Sequence, residues 1–153
     1  METGIYRDSD FSGILSLDSQ SGTDSYASAV YFRHAASIHA DTFLVARDEE
    51  RNIAGYCIGG IIPGNPEDGW ILKIYVDCQR RHEGIGRRLL EETIGVLEDS
   101  GVKKICLTVS PANEPALLLY QRYGFTPEER IKDYFGEGED RFLMVRNKSH
   151  PEV

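Results

Sequence analysis

Two segments in the first third of the chain carry apolar residues at helical spacing. Phe11, Ile14 and Leu15 form the first segment, and a serine-rich loop over residues 18–25 follows it. The second segment has one apolar stripe, made of Ala27, Val30, Tyr31, His34, Ala35 and Ile38. This spacing predicts an amphipathic helix that Asp24 or Ser25 caps and that turns the stripe, with His34 in it, toward the core.

Two more helices are predicted in the second half of the chain. The first has five apolar positions on one face, Ile85, Leu89, Leu90, Ile94 and Leu97. It ends at Ser100 and Gly101, a common helix stop. The other begins at Asn113 or Glu114, has Pro115 in its first turn and ends at Gly124.

Strand-like runs precede, separate and follow these helices. They lie at residues 5–7, 42–46, 53–62, 70–76, 105–109, 131–135 and 141–146. A charged turn joins the second and third runs into a hairpin, a Pro-Gly-Asn-Pro break precedes the fourth, and a glycine turn joins the last two. This order predicts an α/β or α+β fold with a mixed sheet.

The composition is that of an ordinary globular protein with an acidic balance. The 153 residues have a formal net charge of −8, and 41% of them are hydrophobic. We expect one domain over residues 1–153, because a chain of this length buries about 69% of its surface on folding. The acidic balance disfavours nucleic acid as a partner, since phosphate binding depends on basic patches.

The sequence shows no export signal and no membrane span. The chain opens without a basic or an apolar stretch, and no apolar run is long enough to cross a bilayer. Three cysteines, Cys57, Cys78 and Cys106, are widely spaced, so neither a disulfide framework nor a metal site is expected. These features predict a cytoplasmic protein with free thiols and no membrane partner.

One loop has a local charge opposite to that of the whole protein. Within residues 80–88 a single acidic residue, Glu83, faces four arginines, which are Arg80, Arg81, Arg87 and Arg88. The strand that ends at Val76 leads through this segment into the third predicted helix. A helix start offers unpaired backbone N–H groups and the positive end of the helix dipole. Residues 77–87, called the glycine loop below, therefore have the character of a phosphate-binding loop.

Three phosphate-binding motifs can be compared with the glycine loop. The motif Gly-x-x-x-x-Gly-Lys-Ser/Thr is absent, which argues against ATP or GTP hydrolysis. The dinucleotide motif Gly-x-Gly-x-x-Gly fails at its third position, which is Leu89, so NAD binding is only an alternative. The third motif, Arg/Gln-x-x-Gly-x-Gly/Ala, is met by Arg81, Gly84 and Gly86.

Two blocks of the sequence resemble the GNAT acetyltransferase superfamily. The first runs from Val76-Asp77 through Arg81-x-x-Gly84-x-Gly86 to Leu89-Leu90, and it looks like the family's acetyl-CoA pyrophosphate loop. The second, Asn113-x-x-Ala116-x-x-Leu119-Tyr120-x-x-x-Gly124-Phe125, looks like its downstream helix. The likeness covers most of residues 42–146. It implies the family's fold, a central mixed and mostly antiparallel sheet flanked by helices.

The resemblance implies acetyl-CoA as the acetyl donor and suggests which residues bind it. Backbone groups of Ile74, Tyr75 and Val76 would bind the pantetheine arm like an added strand. Arg81 would assist the loop amides that hold the pyrophosphate, which belong to His82, Glu83, Gly84, Ile85, Gly86 and Arg87. Asn113 would bind the arm from its far side, and Arg87 or Arg88 would meet the 3′-phosphate. No metal is implied.

Tyr120 is the residue that the resemblance places beside the thioester sulfur. There it would contact the cofactor and act as general acid for the departing thiolate. A phenol of pKa about 10 and a thiol of pKa about 8.5 make this transfer uphill by roughly 2 kcal/mol, which a positioned hydrogen bond offsets. The alternative is a core aromatic that packs beside Ala116 and Leu117.

The acceptor is expected to be a primary amine, on a small molecule or on a peptide or protein N-terminus. At pH 7 an α-amine of pKa about 7.8 loses its proton at a cost of roughly 1.1 kcal/mol, against roughly 4.6 kcal/mol for a lysine amine of pKa about 10.4. Thr108 stands where the family's protein N-terminal acetyltransferases often have a Glu or His base. Because threonine cannot act as that base, Glu67, Asp77 or another carboxylate would act through water, or the acceptor would need little help.

The end of the chain resembles the terminal hairpin of that same branch, to which the ribosomal-protein alanine acetyltransferases belong. Asp133-Tyr134-Phe135 is followed by Glu139-Asp140 and Met144. The segment is rich in carboxylates, namely Glu128, Glu129, Glu137, Glu139 and Asp140. These would attract an ammonium group, or they form an ordinary solvated hairpin. A non-catalytic acyl-CoA sensor is the alternative function, and a homodimer is left open.

Overall fold

The computed structural model describes residues 1–148, which form seven strands and four α-helices. The strands are β1 Glu2–Ile5, β2 Phe43–Arg47, β3 Ile53–Ile62, β4 Asn65–Val76, β5 Lys104–Val109, β6 Thr126–Ile131 and β7 Arg141–Asn147. The helices are α1 Phe11–Asp18, α2 Ser25–Ile38, α3 Ile85–Asp99 and α4 Glu114–Arg122. Short 3₁₀ turns cover Asp8–Asp10, Ser19–Ser21, Ala40–Thr42 and Cys78–Arg80.

The strands form one sheet in the order β1-β2-β3-β4-β5-β7-β6. The pairs β1 with β2, β2 with β3, β5 with β7 and β6 with β7 are antiparallel. β4 and β5 pair in parallel over Asp68–Trp70 and Lys104–Cys106. This mixed, mostly antiparallel sheet with its helices confirms the predicted fold class.

The chain divides into two compact units. Unit 1 comprises Met1–Gly60 and Ile71–Leu97, and therefore contains α1, α2, α3 and the glycine loop. Unit 2 comprises Ile61–Trp70 and the chain from Glu98 onward, and contains α4 and the last three strands. Asn113 and Tyr120 thus belong to unit 2, whereas the other predicted binding residues belong to unit 1.

An aromatic cluster forms the core beneath α1 and α2. Phe32, Phe43 and Tyr56 are fully buried, and the rings of Phe32 and Tyr56 meet edge to face with centroids 5.1 Å apart. Ile14, Leu17, Ala35, Val45 and Ile58 complete this cluster. Burial of these side chains supplies the main driving force for packing α1 and α2 on the sheet.

The prediction of which face of α2 is buried was wrong. Ser28, Phe32 and Ala35 are the buried residues of the helix, whereas His34 is exposed and Ile38 is 72% exposed. Phe32 is the reason, because its ring packs against Phe43 and Tyr56, and Ala35 is the one residue of the predicted stripe that stays buried. The helix start was predicted correctly, since the Asp24 side chain accepts a hydrogen bond from the Ala27 N–H at 3.0 Å.

The first strand lies earlier than predicted, at residues 2–5 rather than 5–7. Tyr6 leaves the strand and stacks on Phe43 with ring centroids 4.6 Å apart. The Arg7 N–H then donates to the Asp10 carboxylate at 2.7 Å, which starts the 3₁₀ turn. Side-chain packing and capping therefore end β1 at Ile5.

Two later strand boundaries also differ from the prediction. β4 begins at Asn65, because Pro63 and Gly64 alone make the turn that follows β3. The strand predicted at residues 131–135 is instead β6, which ends at Ile131. Asp133 has a φ of 52°, and its N–H donates to Asp140 at 3.0 Å, so the chain turns out of the sheet there.

A buried carboxylate ties α1 and α2 to the sheet. Asp18 is fully buried and accepts hydrogen bonds from the Tyr56 hydroxyl at 2.5 Å and the Ser28 hydroxyl at 2.6 Å. The Lys73 ammonium lies 2.9 Å away from it. Burial alone would raise the pKa of Asp18, but these three donors outweigh it and the pKa is lowered. Asp18 is therefore ionised in the folded protein.

We expect Asp18→Asn to lower the stability of the protein and to change its acid sensitivity. A carboxylate with a lowered folded pKa stabilises the fold above its unfolded pKa of about 3.9, and this stabilisation is lost as the pH falls toward the folded pKa. Removing one partner of a buried pair costs roughly 3 to 5 kcal/mol. Thermal melts at pH 7 should show this loss, and the difference from wild type should shrink below pH 4.

The exposed carboxylate of Asp41 provides the control. Asp41→Asn should melt within about a degree of wild type at every pH, because surface substitutions of this kind cost little. Equal melting temperatures for Asp18→Asn and wild type at pH 7 would contradict the role given to Asp18.

Candidate functional site

The glycine loop joins the end of β4 to the start of α3 and leaves backbone donors unpaired. Asp77 begins it, and its carboxylate accepts a hydrogen bond from the Gln79 N–H at 3.0 Å. The first helical bond of α3 runs from the Arg88 N–H to the Gly84 carbonyl at 3.0 Å. The N–H groups of residues 85–87 precede that bond and have no acceptor within the helix. Such a group of amides at a helix start suits an anion.

Gly84 and Gly86, the two glycines of this loop, differ in backbone conformation and in surroundings. Gly84 has a φ of +80°, a left-handed conformation that side chains disfavour, and a Cβ built there would meet no described atom within 4 Å. A Cβ on Gly86 would lie 3.4 Å from a methyl carbon of Val76. Gly84 therefore gives the loop its turn and faces open space, whereas a Cβ on Gly86 would make an ordinary van der Waals contact with β4. The open space and the unpaired amides fit a phosphate group.

Two of the four arginines are held by the protein itself. Arg80 lies 3.3 Å from the Asp48 carboxylate and 3.4 Å from that of Glu83. Arg88 pairs with Glu92 at 3.2 Å and donates to the Met1 carbonyl at 3.0 Å. The charge available to a ligand is therefore smaller than the sequence suggests.

The other two arginines are better placed to meet a ligand. The Arg81 guanidinium lies over the Tyr75 ring, 5.5 Å from its centroid, and its side chain is exposed. Arg87 is exposed on the first turn of α3, and no ion pair joins it to a carboxylate within residues 1–148. Of the two arginines expected near a 3′-phosphate, this arrangement favours Arg87 over Arg88.

At the end of β4 and at Ile85, a ligand would meet backbone groups rather than side chains. Ile74, Tyr75 and Val76 are half-buried at the end of β4, and the Tyr75 ring stacks on Tyr56 with centroids 6.5 Å apart. Ile74 lies four residues beyond Trp70, the last residue of the parallel ladder with β5. The Ile85 side chain is 4% exposed and belongs to the core, so only its N–H could face a ligand.

Gln20 contacts the glycine loop, which no pattern in the sequence predicts. It lies in the 3₁₀ turn after α1, and its side chain bonds to Asp77 and to the Cys78 N–H. A polar residue in a serine-rich segment, 57 positions away from its partner, carries no signal in a single sequence.

In unit 2, α4 carries the two other predicted residues. Asn113 caps the helix through its side-chain oxygen, which accepts a hydrogen bond from the Ala116 N–H at 3.3 Å. Tyr120 is 6% exposed, and its ring meets Phe125 edge to face at 5.9 Å. The ring of Tyr120 therefore packs in the core of unit 2.

The carboxylates considered as bases have other partners. Glu67 forms an exposed ion pair with Lys103 at 3.0 Å. Asp77 caps the turn that follows it and binds Gln20. Thr108 is half-buried on β5. Both Glu67 and Asp77 therefore have partners within the protein.

The acidic segment near the end of the chain is partly neutralised from within. Asp140 accepts hydrogen bonds from the Asp133 N–H at 3.0 Å and from Arg130 at 3.1 Å, and these lower its pKa. Glu139 pairs with Arg141 at 3.1 Å. Three further carboxylates are exposed and form no ion pair within residues 1–148, namely Glu128, Glu129 and Glu137. The tips of Tyr134 and Phe135 are also exposed, at 45% and 63%.

Residues 1–148 contain neither a membrane-spanning helix nor a cluster of metal ligands. No helix in this range has both the length and the apolar character that a membrane crossing needs. No group of three or more His, Cys, Asp or Glu side chains is arranged there to hold a metal ion.

Comparisons with known proteins agree with these features. The model of a family described as the acetyltransferase (GNAT) family matches residues 10–125. An N-alpha-acetyltransferase of Sulfolobus acidocaldarius is 27% identical over 147 residues, which cover 90% of this chain and 86% of that protein.

Solved structures show the same fold. The crystal structure of Ard1 from Thermoplasma volcanium superposes with a TM-score of 0.87 at 18% identity, covering 97% of this chain and 98% of that one. The structure of YncA from Salmonella typhimurium with its cofactor acetyl-CoA gives a TM-score of 0.81 at 18% identity, covering 100% and 96%.

Proposed function

The chain belongs to the acetyltransferase (GNAT) family and uses acetyl-CoA as its acetyl donor, and we propose that it acetylates the α-amino group of a peptide or protein N-terminus. The observation that carries this acceptor is the similarity to a Sulfolobus N-alpha-acetyltransferase over 90% of the chain. The charge and exposed aromatic groups of unit 2 support it.

Donor binding is assigned to the glycine loop. The amides of residues 85–87 and the open space before Gly84 would hold the pyrophosphate, with Arg81 and Arg87 as the nearby cations. The backbone of residues 74–76 would bind the amide arm as an added strand. In unit 2, the cap occupies the side-chain oxygen of Asn113, so its amide nitrogen would be the group that binds the arm. Acetyl-CoA supplies an activated thioester, so no covalent enzyme intermediate is needed.

Binding of the acceptor is assigned to unit 2. The choice between kinds of acceptor follows from the pKa of the amine. Exposed carboxylates at Glu128, Glu129 and Glu137 attract an ammonium group, and the exposed rings of Tyr134 and Phe135 suit an apolar first residue. Because Thr108 cannot remove a proton, an acceptor that is partly neutral near pH 7 is favoured. An α-amine meets this condition far better than a lysine side chain.

Tyr120 is proposed as the proton donor to the departing thiolate. Its burial fixes the ring against Phe125, which limits the positions that the hydroxyl can take. A positioned donor of this kind is worth about 10²- to 10⁴-fold in rate.

Gly84→Ala should weaken CoA binding by at least about tenfold, since a methyl group would enter the space assigned to phosphate. Gly101→Ala is the matched control, because Gly101 also has a positive φ, +99°, and faces open space at the end of α3. Both variants should lose about 1 kcal/mol of stability from backbone strain. Thermal shifts with CoA and with NAD measure binding, and wild type should gain about 2.7 kcal/mol at a hundred times the CoA dissociation constant.

Stabilisation of wild type by NAD and not by CoA would reject the donor assignment. Equal CoA affinity in Gly84→Ala and Gly101→Ala would reject the assignment of phosphate to the space before Gly84.

Tyr120→Phe should lower kcat by about 10²- to 10⁴-fold and leave the KM for acetyl-CoA nearly unchanged, since only the hydroxyl is removed. Tyr26→Phe is the control, because Tyr26 is 78% exposed on α2, and it should keep kcat within about threefold. The rate of thiol release from acetyl-CoA measures kcat and KM for both variants. If Tyr120→Phe had the kcat of wild type, the role of Tyr120 would be packing alone.

Peptides with a free N-terminus should be acetylated faster at pH 7 than N-terminally blocked peptides with an internal lysine. The difference in deprotonation cost, roughly 3.5 kcal/mol, allows a ratio of up to about 400-fold. Mass spectrometry of paired peptides with one sequence measures it. Faster acetylation of the lysine peptide, or of small amines only, would refute the proposed acceptor, and no turnover on any amine would favour the acyl-CoA sensor.

A further inference from the structure

One side chain joins the turn after α1 to the glycine loop. Gln20 accepts hydrogen bonds through its side-chain oxygen from the Cys78 N–H at 3.0 Å and from the Tyr75 hydroxyl at 3.4 Å. Its side-chain nitrogen donates to the Asp77 carboxylate at 3.3 Å. Gln20 thus contacts three residues at the point where β4 ends and the glycine loop begins.

Asp77 is held from several directions at this point. Its N–H donates to the Ala54 carbonyl of β3 at 2.9 Å, and its carbonyl accepts from the Arg80 N–H at 2.9 Å. Its carboxylate accepts from Gln79 as well as from Gln20. The strand β3 therefore fixes the backbone of Asp77 on one side, and Gln20 fixes its side chain on the other.

We propose that Gln20 is a positioning residue for acetyl-CoA, which it serves by holding residues 75–78 in the conformation that the cofactor needs. This inference rests on the proposed donor binding, since the same residues connect the strand that would bind the arm to the amides that would bind the pyrophosphate. A ligand bound by backbone amides gains from amides that are already ordered, because the cost of ordering them is met during folding.

The effect of the Gln20 hydrogen bonds on loop order is reciprocal. If Gln20 lowers the free energy of the ordered glycine loop, a ligand that orders this loop also orders the turn that carries Gln20. CoA binding should therefore also order the turn Ser19–Ser21.

The role is distinct from a contribution to the core. Gln20 is exposed, so its truncation leaves no cavity and no buried polar group without a partner. Its loss should act on the affinity for the cofactor far more than on the melting temperature of the free protein.

Gln20→Ala tests this role, and Ser21→Ala in the same turn is its control. The Ser21 hydroxyl donates to the Asp18 carbonyl at 2.7 Å and lies 3.0 Å from the Thr23 hydroxyl, so its bonds stay within its own segment. Gln20→Ala should raise the dissociation constant for CoA and the KM for acetyl-CoA by roughly tenfold, with kcat within about twofold. Ser21→Ala should keep both values within about twofold.

Hydrogen exchange separates positioning from a direct contact with the cofactor. Without ligand, the Cys78 amide should exchange faster in Gln20→Ala than in wild type. Saturating CoA should slow exchange over residues 77–87 in both proteins, but should slow it over residues 19–22 in wild type alone.

An unchanged CoA affinity in Gln20→Ala, or an equal loss in Ser21→Ala, would overturn the inference. A fall in kcat at constant KM would overturn it too, since it would place Gln20 in the chemical step. If wild type bound no CoA, the donor assignment would fail, and the role of Gln20 toward CoA would fail with it. Weak binding by Gln20→Ala alone leaves the donor assignment standing.

Discussion

A phosphate site made of backbone amides depends on one constraint. Its N–H groups must be held in place although they have no acceptor within the protein. In unit 1 the burial of α3 meets the first part of this constraint. Its apolar face is buried through Ile85, Leu89, Leu90, Ile94 and Leu97. The helix thus anchors the loop from behind, and its first three amides face outward without acceptors.

The sheet is shaped around the same helix. A Cβ on Gly55 of β3 would lie 2.9 Å from the Tyr75 carbonyl and 3.1 Å from the Leu89 side chain. A larger residue at position 55 would force the Tyr75 carbonyl or the Leu89 side chain to shift, so Gly55 lets β3 lie close to both β4 and α3. The Asp18 network secures α1 and α2 on the other face, and Lys73 brings β4 into that network. The glycine loop therefore emerges from a segment that is held on both faces.

Local patterns predicted the parts of this arrangement that local forces control. The period of α3, the start of α4 at Asn113 or Glu114 and the hairpin of β2 with β3 were all predicted, because each depends on neighbours in sequence. The buried face of α2 was not predicted, since it depends on which aromatic ring packs against the sheet. The pairing of Arg80 with Asp48 joins residues 32 positions apart and was likewise invisible. The glycine loop was recognised by its motif, whereas Gln20, which supports it, belongs to no motif.

The internal pairing of Arg80 and Arg88 has a consequence for how the anionic donor reaches the protein. The chain carries a net charge of −8, and half of the cations around its loop are already neutralised by neighbours. The net charge of the protein therefore opposes the approach of acetyl-CoA at long range, and Arg81 and Arg87, which no ion pair holds within residues 1–148, attract it near the loop. Dissolved salt screens both effects beyond about 8 Å at physiological strength, so the donor is captured by contacts at the loop and not by the charge of the whole protein.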